Sequence, residues 1–211
     1  MFALLVVLQL TTGASQHFFE LVHPPADFAR LLLERSAWLK IIFAIDDVFI
    51  ACYVSATLFT ALSFPRRAAS YVAVALVGAA GLLDLEENHH LLALMDAARA
   101  GLEPSAAELV RRMDFSSVKW AVGHIGFFFF AFFVPGKDLL ARAFRSMLVF
   151  VQLPLGVAGV VYGDLKWLAL LRALNLFAGF LLLAVLTSRK SETAGSGAPA
   201  SLRGTTPATA G

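Results

Sequence analysis

The chain has 211 residues, of which 59% are hydrophobic and 15% are charged, and its formal net charge is +2. This charge balance, without a basic stripe interleaved with aromatic residues, excludes a nucleic-acid-binding surface. The single cysteine, Cys52, excludes an internal disulfide bond. Several apolar runs reach the roughly 20 residues that a helix needs to cross a bilayer, so the composition predicts a polytopic membrane protein.

The apolar runs predict an all-α integral membrane bundle of six transmembrane helices within residues 1–187, joined by turns and modest loops. The predicted spans are residues 1–22, 38–64, 68–95, 117–134, 139–161 and 166–187. The first run resembles the apolar core of a signal peptide. It lacks the positively charged segment that precedes such a core, so we interpret it as a retained helix.

The ends of the chain are expected to lie on the same side of the membrane, because the number of predicted spans is even. Residues 188–211 are rich in Ser, Thr, Gly, Ala and Pro without apolar periodicity, which predicts a disordered tail. Lys and Arg divide almost equally between the two sides, and those on the side of the termini have fewer acidic neighbours. We therefore expect a bacterial inner-membrane protein with both termini in the cytoplasm.

Polar residues concentrate in one half of the predicted bilayer, at corresponding ends of successive spans. Asp46, for example, lies about 12 Å along the second span from Trp38. Charged groups cost roughly 2.5 to 3.5 kcal/mol each near the bilayer centre, so we expect a hydrated or internally paired cavity that opens towards the loops above an apolar floor. The predicted polar site consists of Asp46, Asp47, Asp84, Glu87, Asn88, Lys119, Arg172 and Asn175.

The densest polar segment is 84–90, with the sequence Asp-Leu-Glu-Glu-Asn-His-His. Helical periodicity places Asp84, Glu87 and Asn88 on one face and Glu86, His89 and His90 on the opposite face. The first face predicts pairing with Lys119, for which a functional role and a scaffold role are both open. Alternatively, the third span reaches the membrane surface near Asp84, which would leave 86–90 among the lipid headgroups.

The second face of this segment suggests a metal site, because imidazole and carboxylate ligands suit iron, zinc or manganese. Glu86-x-x-His89 has the required spacing, but a di-iron bundle needs Glu-x-x-His from two helices and two further Glu residues. A histidine pair without a metal is the alternative. The candidate ligands are Glu86, His89, His90, His17, Glu20 and His124, and His17 or His124 would alternatively hold a haem.

One further pattern covers the central third of the chain: Asp47-Val48-Phe49 with Tyr53, then Asp84-x-x-Glu87-Asn88, then Lys119. This pattern resembles one found in small, uncharacterised bacterial polytopic membrane proteins. The resemblance implies no established activity, and it supports only the grouping of Asp47, Asp84, Glu87, Asn88 and Lys119.

The intramembrane carboxylates favour a protein that handles a small-molecule ligand, a proton or cation, or a membrane lipid. A second hypothesis is a non-catalytic regulator or assembly factor that sequesters a cytosolic protein partner such as a transcription (sigma) factor. A metal- or haem-binding redox protein is the third. The sequence has no nucleophile elbow, phosphate-binding loop or protease signature, so no enzyme class is assigned.

Overall fold

A computed structural model of the chain describes residues 2–21, 23–64, 68–162 and 165–196. Within these ranges the chain is helical with connecting turns and contains no β-strand. The helices are α1 (Phe2–Thr12), α2 (Gln16–Phe19), α3 (Pro25–Glu34), α4 (Ser36–Ser63), α5 (Ala68–Arg99), α6 (Ala106–Phe128), α7 (Phe130–Phe133), α8 (Leu139–Met147), α9 (Leu153–Val161) and α10 (Lys166–Ser196). A π-helical turn, Leu148–Gln152, joins α8 to α9.

Five helical stretches are long and apolar enough to cross a membrane: α4, α5, α6 with α7, α8 with α9, and α10. The expectation of an all-helical chain with membrane-spanning segments is therefore confirmed. The longest is α5, whose 32 residues extend about 48 Å and exceed the roughly 30 Å of a hydrocarbon core. One end of α5 therefore projects beyond the apolar layer.

The first predicted span differs in the structure, because it is not one continuous helix. The 11 residues of α1 extend only about 16 Å, which is shorter than a bilayer core. Gly13 then adopts a φ of +64°, a conformation that side-chain-bearing residues rarely take, and the chain turns into the four-residue α2. Arg35, at the start of α4, donates a hydrogen bond to the Gly13 carbonyl and fixes this turn.

The connection from α2 to the spans contains α3, which begins with Pro25 at its first position. This helix buries Phe28 and Leu32 against α5, while Arg30 pairs with acidic neighbours on the exposed face. At the other end of the chain, α10 continues through Ser196, so the first residues of the expected disordered tail are helical. The rest of that tail, 197–211, lies outside the described residues.

Two apolar clusters fill the bundle at different depths. The loop-side cluster includes Phe28, Leu39, Ile42, Phe43, Leu91, Met95 and Leu109. The floor cluster includes Ile50, Ala73, Val77, Phe130, Phe144, Leu148 and Leu183. On α5 the floor cluster reaches Val77 and the loop-side cluster starts at Leu91, so the polar stretch 84–88 lies between them. The polar residues thus form a layer with apolar packing on both sides.

Close packing of α5 against α6 holds this layer together. Gly126 on α6 has no room for a side chain, because a Cβ there would lie 2.8 Å from Val77 Cγ2 and 3.0 Å from the Val77 backbone nitrogen. At the start of α6, Ser105 caps the helix by accepting a hydrogen bond of 3.1 Å from the Glu108 amide. The two helices therefore have a fixed register where their polar residues meet.

Candidate functional site

The centre of the polar layer is Lys119 on α6, whose side chain has three carboxylate partners. Its ammonium lies 2.9 Å from Asp84 Oδ1 and 3.2 Å from Glu20 Oε1, and it also donates a hydrogen bond to Glu87. Lys119 is only 4% exposed and Glu87 only 2%. A cation this deeply buried requires carboxylate partners, and here they come from α5 and from the irregular segment after α2.

Arg112, two helical turns before Lys119, is the second cation of the layer. Its Nη2 donates to Glu87 Oε1 at 3.0 Å, and its Nε donates to the Phe19 carbonyl at 3.0 Å. Glu87 is therefore shared between two cations, Arg112 and Lys119. The bond to Phe19 also ties the end of α2 to α6, which holds the adjacent Glu20 within reach of Lys119.

Glu20 lies outside the five membrane-spanning helices and has three side-chain partners. Lys119 and His17 donate to it, the latter at 2.8 Å, and the indole Nε1 of Trp120 lies 3.4 Å from Oε2. Burial alone would raise the pKa of the Glu20 carboxyl. The Lys119 ammonium and the His17 hydrogen bond outweigh burial and hold this pKa well below its ordinary value.

Asn88 organises a second group of carboxylates on the α4 side of the layer. Its Nδ2 donates to Asp46 Oδ2 and to Asp47 Oδ1, both at 2.9 Å, and its Oδ1 accepts a hydrogen bond of 2.7 Å from Gln16. Asn88 is fully buried. Its amide thus connects α4, α5 and α2 without carrying a charge.

Tyr53 extends the layer towards the floor cluster. Its hydroxyl donates to Asp84 Oδ2 at 2.8 Å, while Asp84 Oδ1 is the oxygen that faces Lys119. Both oxygens of this carboxylate are therefore engaged. A Cβ on Gly81, one turn before Asp84, would lie 3.3 Å from the Tyr53 hydroxyl, so the glycine allows the tyrosine to approach α5.

Arg172 on α10 is a buried cation with a different environment. It is 5% exposed, forms no ion pair with any residue that the structure describes, and its Nε has no hydrogen-bond partner. Its guanidinium lies over the Trp120 ring, 4.2 Å from the centroid, which provides a cation–π contact. Gly159 on α9 leaves the necessary space, because a Cβ there would be 2.4 Å from Arg172 Nη1.

A third polar group links α6, the π-helical turn and α10. His124 Nδ1 donates to the Gln152 carbonyl at 3.1 Å, which leaves the buried Nε2 without a partner. Asn175 donates to the Gln152 side chain. The His124 ring packs directly on Gly156, where a Cβ would lie 2.6 Å from the ring, so the glycine allows α9 to approach α6 closely.

The predicted metal ligands do not converge. Glu86 and His89 are exposed, His90 lies 3.2 Å from Glu108, and His124 is bonded to Gln152. Of the six, only His17 and Glu20 bond to each other. Across the described part of the chain, no group of three His, Cys, Asp or Glu side chains is arranged to hold a metal.

The predicted polar site divides into two groups in the structure. The polar layer brings together Asp46, Asp47, Asp84, Glu87, Asn88 and Lys119. Arg172 and Asn175 lie on the α10 side and do not bond to these six, although Trp120 contacts Arg172 and lies close to Glu20. The predicted polar site did not contain Arg112, Gln16, Tyr53 or Gln152, although Tyr53 belongs to the pattern in the central third of the chain, and Glu20 was assigned to a metal site. Arg112 had a usable signal, since its seven-residue spacing from Lys119 places both on one helix face.

Comparisons of this chain with protein-family models, curated proteins and solved structures found no match. The resemblance to small bacterial membrane proteins therefore stays a prediction.

Proposed function

We propose that this chain is a membrane protein that binds and releases a proton at the carboxylate pair Asp46 and Asp47. The observation that supports this proposal is that both carboxylates accept a hydrogen bond from the same uncharged group, the side-chain amide of Asn88. The Asn88 amide lies 2.9 Å from each carboxylate. Two carboxylates that share one neutral donor lie close enough to repel each other, which favours uptake of one proton by the pair.

The charge balance around the pair favours the same function. Lys119 already forms ion pairs with Glu20, Asp84 and Glu87, and Arg112 forms an ion pair with Glu87. Among the residues with described side chains, neither Asp46 nor Asp47 forms an ion pair. The layer thus has more carboxylates than cations, and a proton is the simplest species that would restore the balance within an apolar bundle.

Infrared difference spectroscopy of the purified protein in lipid nanodiscs tests this function. A shift from pH 8 to pH 5 should produce the carbonyl stretch of a protonated carboxyl group in the wild type. Asp46→Asn should remove or shift this band, because the substituted amide cannot titrate, and Asp47→Asn should alter it through the shared Asn88. Asp27→Asn is the control, since Asp27 is exposed on α3 and pairs with Arg30.

Two results would contradict the proposal. One is a band that is unchanged in both Asp46→Asn and Asp47→Asn, which would place the titrating group elsewhere. The other is a signal that follows the sodium concentration at constant pH and disappears in choline chloride, which would make the pair a cation site instead.

The cellular location is part of the same proposal. We propose the bacterial inner membrane as the location. For the orientation, Lys and Arg divide almost equally between the two sides, but Lys137, Arg142, Arg145 and Arg189, at the side where α10 ends, have fewer acidic neighbours than the cations on the α3 side. That side would be cytoplasmic, and the Asp46 pair would lie nearer the opposite face. The sixth span and the cytoplasmic amino terminus also stay proposals, since the five long helices do not include α1.

A further inference from the structure

A polar pocket of about 150 Å³ lies between the second half of α5 and the first turns of α6. A cavity of this size is large enough for a small organic molecule. Its lining consists of Glu86, Glu87 and His90 on one turn of α5, and Glu108, Arg111, Arg112 and Phe115 along one face of α6. The pocket adjoins the polar layer through the paired Glu87 and Arg112 but does not include Asp46 or Asp47.

Two contacts cross the pocket and leave specific groups unpaired. His90 Nε2 lies 3.2 Å from Glu108 Oε1, and Arg112 Nη2 donates to Glu87 at 3.0 Å. Arg112 is only 4% exposed, and its remaining nitrogen, Nη1, is buried without a hydrogen-bond partner. A buried donor without a partner costs about 1 to 3 kcal/mol, so this nitrogen indicates a missing acceptor.

Glu86 and Arg111 are the other unpaired groups of the pocket. Both side chains are exposed, and neither forms an ion pair or a side-chain hydrogen bond within the described ranges. The pocket therefore offers one free carboxylate on α5, and one free guanidinium with an additional donor on α6. The complementary ligand carries a cationic and an anionic group on the same small molecule.

The depth of the pocket identifies the kind of molecule. A bilayer core takes about 20 helical residues, so the outer face of α5, which starts at Ala68, reaches the edge of the apolar layer near Glu87. Inside the bundle, the loop-side cluster covers the polar layer at the same depth. The pocket thus lies at headgroup level. Leu82 lies one turn below Glu86, Val118 lies one turn below Phe115, and both are exposed to the surroundings of the bundle. An acyl chain would pack against these two side chains while its headgroup occupied the pocket.

We propose that this pocket binds the headgroup of a zwitterionic phospholipid with a primary ammonium, phosphatidylethanolamine. The ammonium lies against Glu86, and the phosphate accepts hydrogen bonds from the exposed Arg111 and, once the lining side chains shift to uncover it, from Arg112 Nη1. The same ammonium–phosphate chemistry is present in free phosphoethanolamine, but only the lipid also uses the apolar surface formed by Leu82 and Val118.

Lipid titration followed by native mass spectrometry tests the pocket. The delipidated protein is titrated separately with phosphatidylethanolamine, phosphatidylglycerol and free phosphoethanolamine. We expect one phosphatidylethanolamine to bind at least tenfold more tightly than either of the others. Arg111→Gln and Glu86→Gln should each weaken its binding about tenfold, and Glu86→Gln should leave phosphatidylglycerol binding unchanged because that lipid has no ammonium.

Matched substitutions control for general changes in surface charge. Arg99→Gln and Glu103→Gln remove the same charges from exposed positions near the same membrane face, and both should bind like the wild type. All four altered side chains are exposed, so the variants should fold. Equal binding of the two lipids, or no effect of Arg111→Gln and Glu86→Gln, would overturn the proposal. Free phosphoethanolamine that binds as tightly as the lipid would also overturn it, in favour of a soluble ligand.

Discussion

Replacement of Lys119 by methionine tests how the polar layer is held together. The substitution keeps most of the side-chain volume but removes the ammonium that contacts Glu20, Asp84 and Glu87. Arg112 would still neutralise Glu87 at 3.0 Å. Glu20 and Asp84 would be the two carboxylates left without a cation.

Removal of one partner from a buried ion pair costs about 3 to 5 kcal/mol. For a chain of this length, each kcal/mol lowers the thermal midpoint by roughly 2 to 4 °C, so Lys119→Met should lower it by about 6 to 20 °C. The midpoint is measured in mild detergent, together with the yield of monodisperse protein. Lys40→Met is the control, because Lys40 is exposed on α4 and has no ion pair in the described structure.

A second substitution in the Lys119→Met background shows whether specific ion pairs, rather than the total charge of the layer, determine its stability. Adding Asp84→Asn to Lys119→Met should recover part of the loss, because one unneutralised carboxylate disappears and the amide still accepts the Tyr53 hydrogen bond. Adding Glu87→Gln should not help, because it leaves Arg112 without its carboxylate. Equal recovery by both second changes, or purely additive losses from both, would refute this arrangement.

Two further predictions concern helix packing and pH. Gly126→Ala should destabilise the protein by about 1 to 3 kcal/mol, because the added Cβ would meet Val77. Gly78→Ala is the control and should be close to neutral, because the space around Gly78 is open. Similar thermal midpoints for the two variants would contradict the close packing of α6 on α5. The pKa of the Glu20 carboxyl is lower in the folded protein than its ordinary value of 4.5. The ionised carboxylate therefore stabilises the fold at pH values above 4.5, and this contribution is lost progressively as the pH falls below 4.5. Glu20→Gln should therefore lower the thermal midpoint at pH 7, and its midpoint should fall less on further acidification than that of the wild type. Glu103→Gln should keep the wild-type dependence of the midpoint on pH. The same dependence in Glu20→Gln and wild type would show that Glu20 is not the group responsible.

Helical periodicity was sufficient to divide the polar residues of α5 between two faces. Glu87 and Asn88 are buried, whereas Glu86 and His89 are exposed, as the division into two faces implies. Apolar run length likewise located the five long helices, because the cost of exposing backbone groups to lipid forces a continuous helix. These features depend on local sequence and on solvent alone.

Features that depend on irregular backbone were not predictable in this way. The first apolar run reads as one span, but Gly13 at φ +64° ends α1 and redirects the chain. The turn brings Glu20 to Lys119, although 99 positions separate them in sequence. No periodic pattern contains this pairing, because it depends on the direction in which the chain leaves the break. The His17-x-x-Glu20 spacing suggested metal ligands instead, since it is equally compatible with the hydrogen bond that forms.

Trp120 gives the two polar groups of the bundle a physical connection. Its indole nitrogen lies 3.4 Å from Glu20, the Lys119 ammonium is 5.2 Å from its ring centroid, and the Arg172 guanidinium is 4.2 Å from the same centroid. Arg172 has no ion pair in the described structure, so the Trp120 ring is its electrostatic contact. Because the same ring contacts Glu20 and both cations, Trp120 joins the polar layer on α6 to Arg172 on α10. Gly159 lets the Arg172 guanidinium lie close against α9, so it is held between α9 and the Trp120 ring.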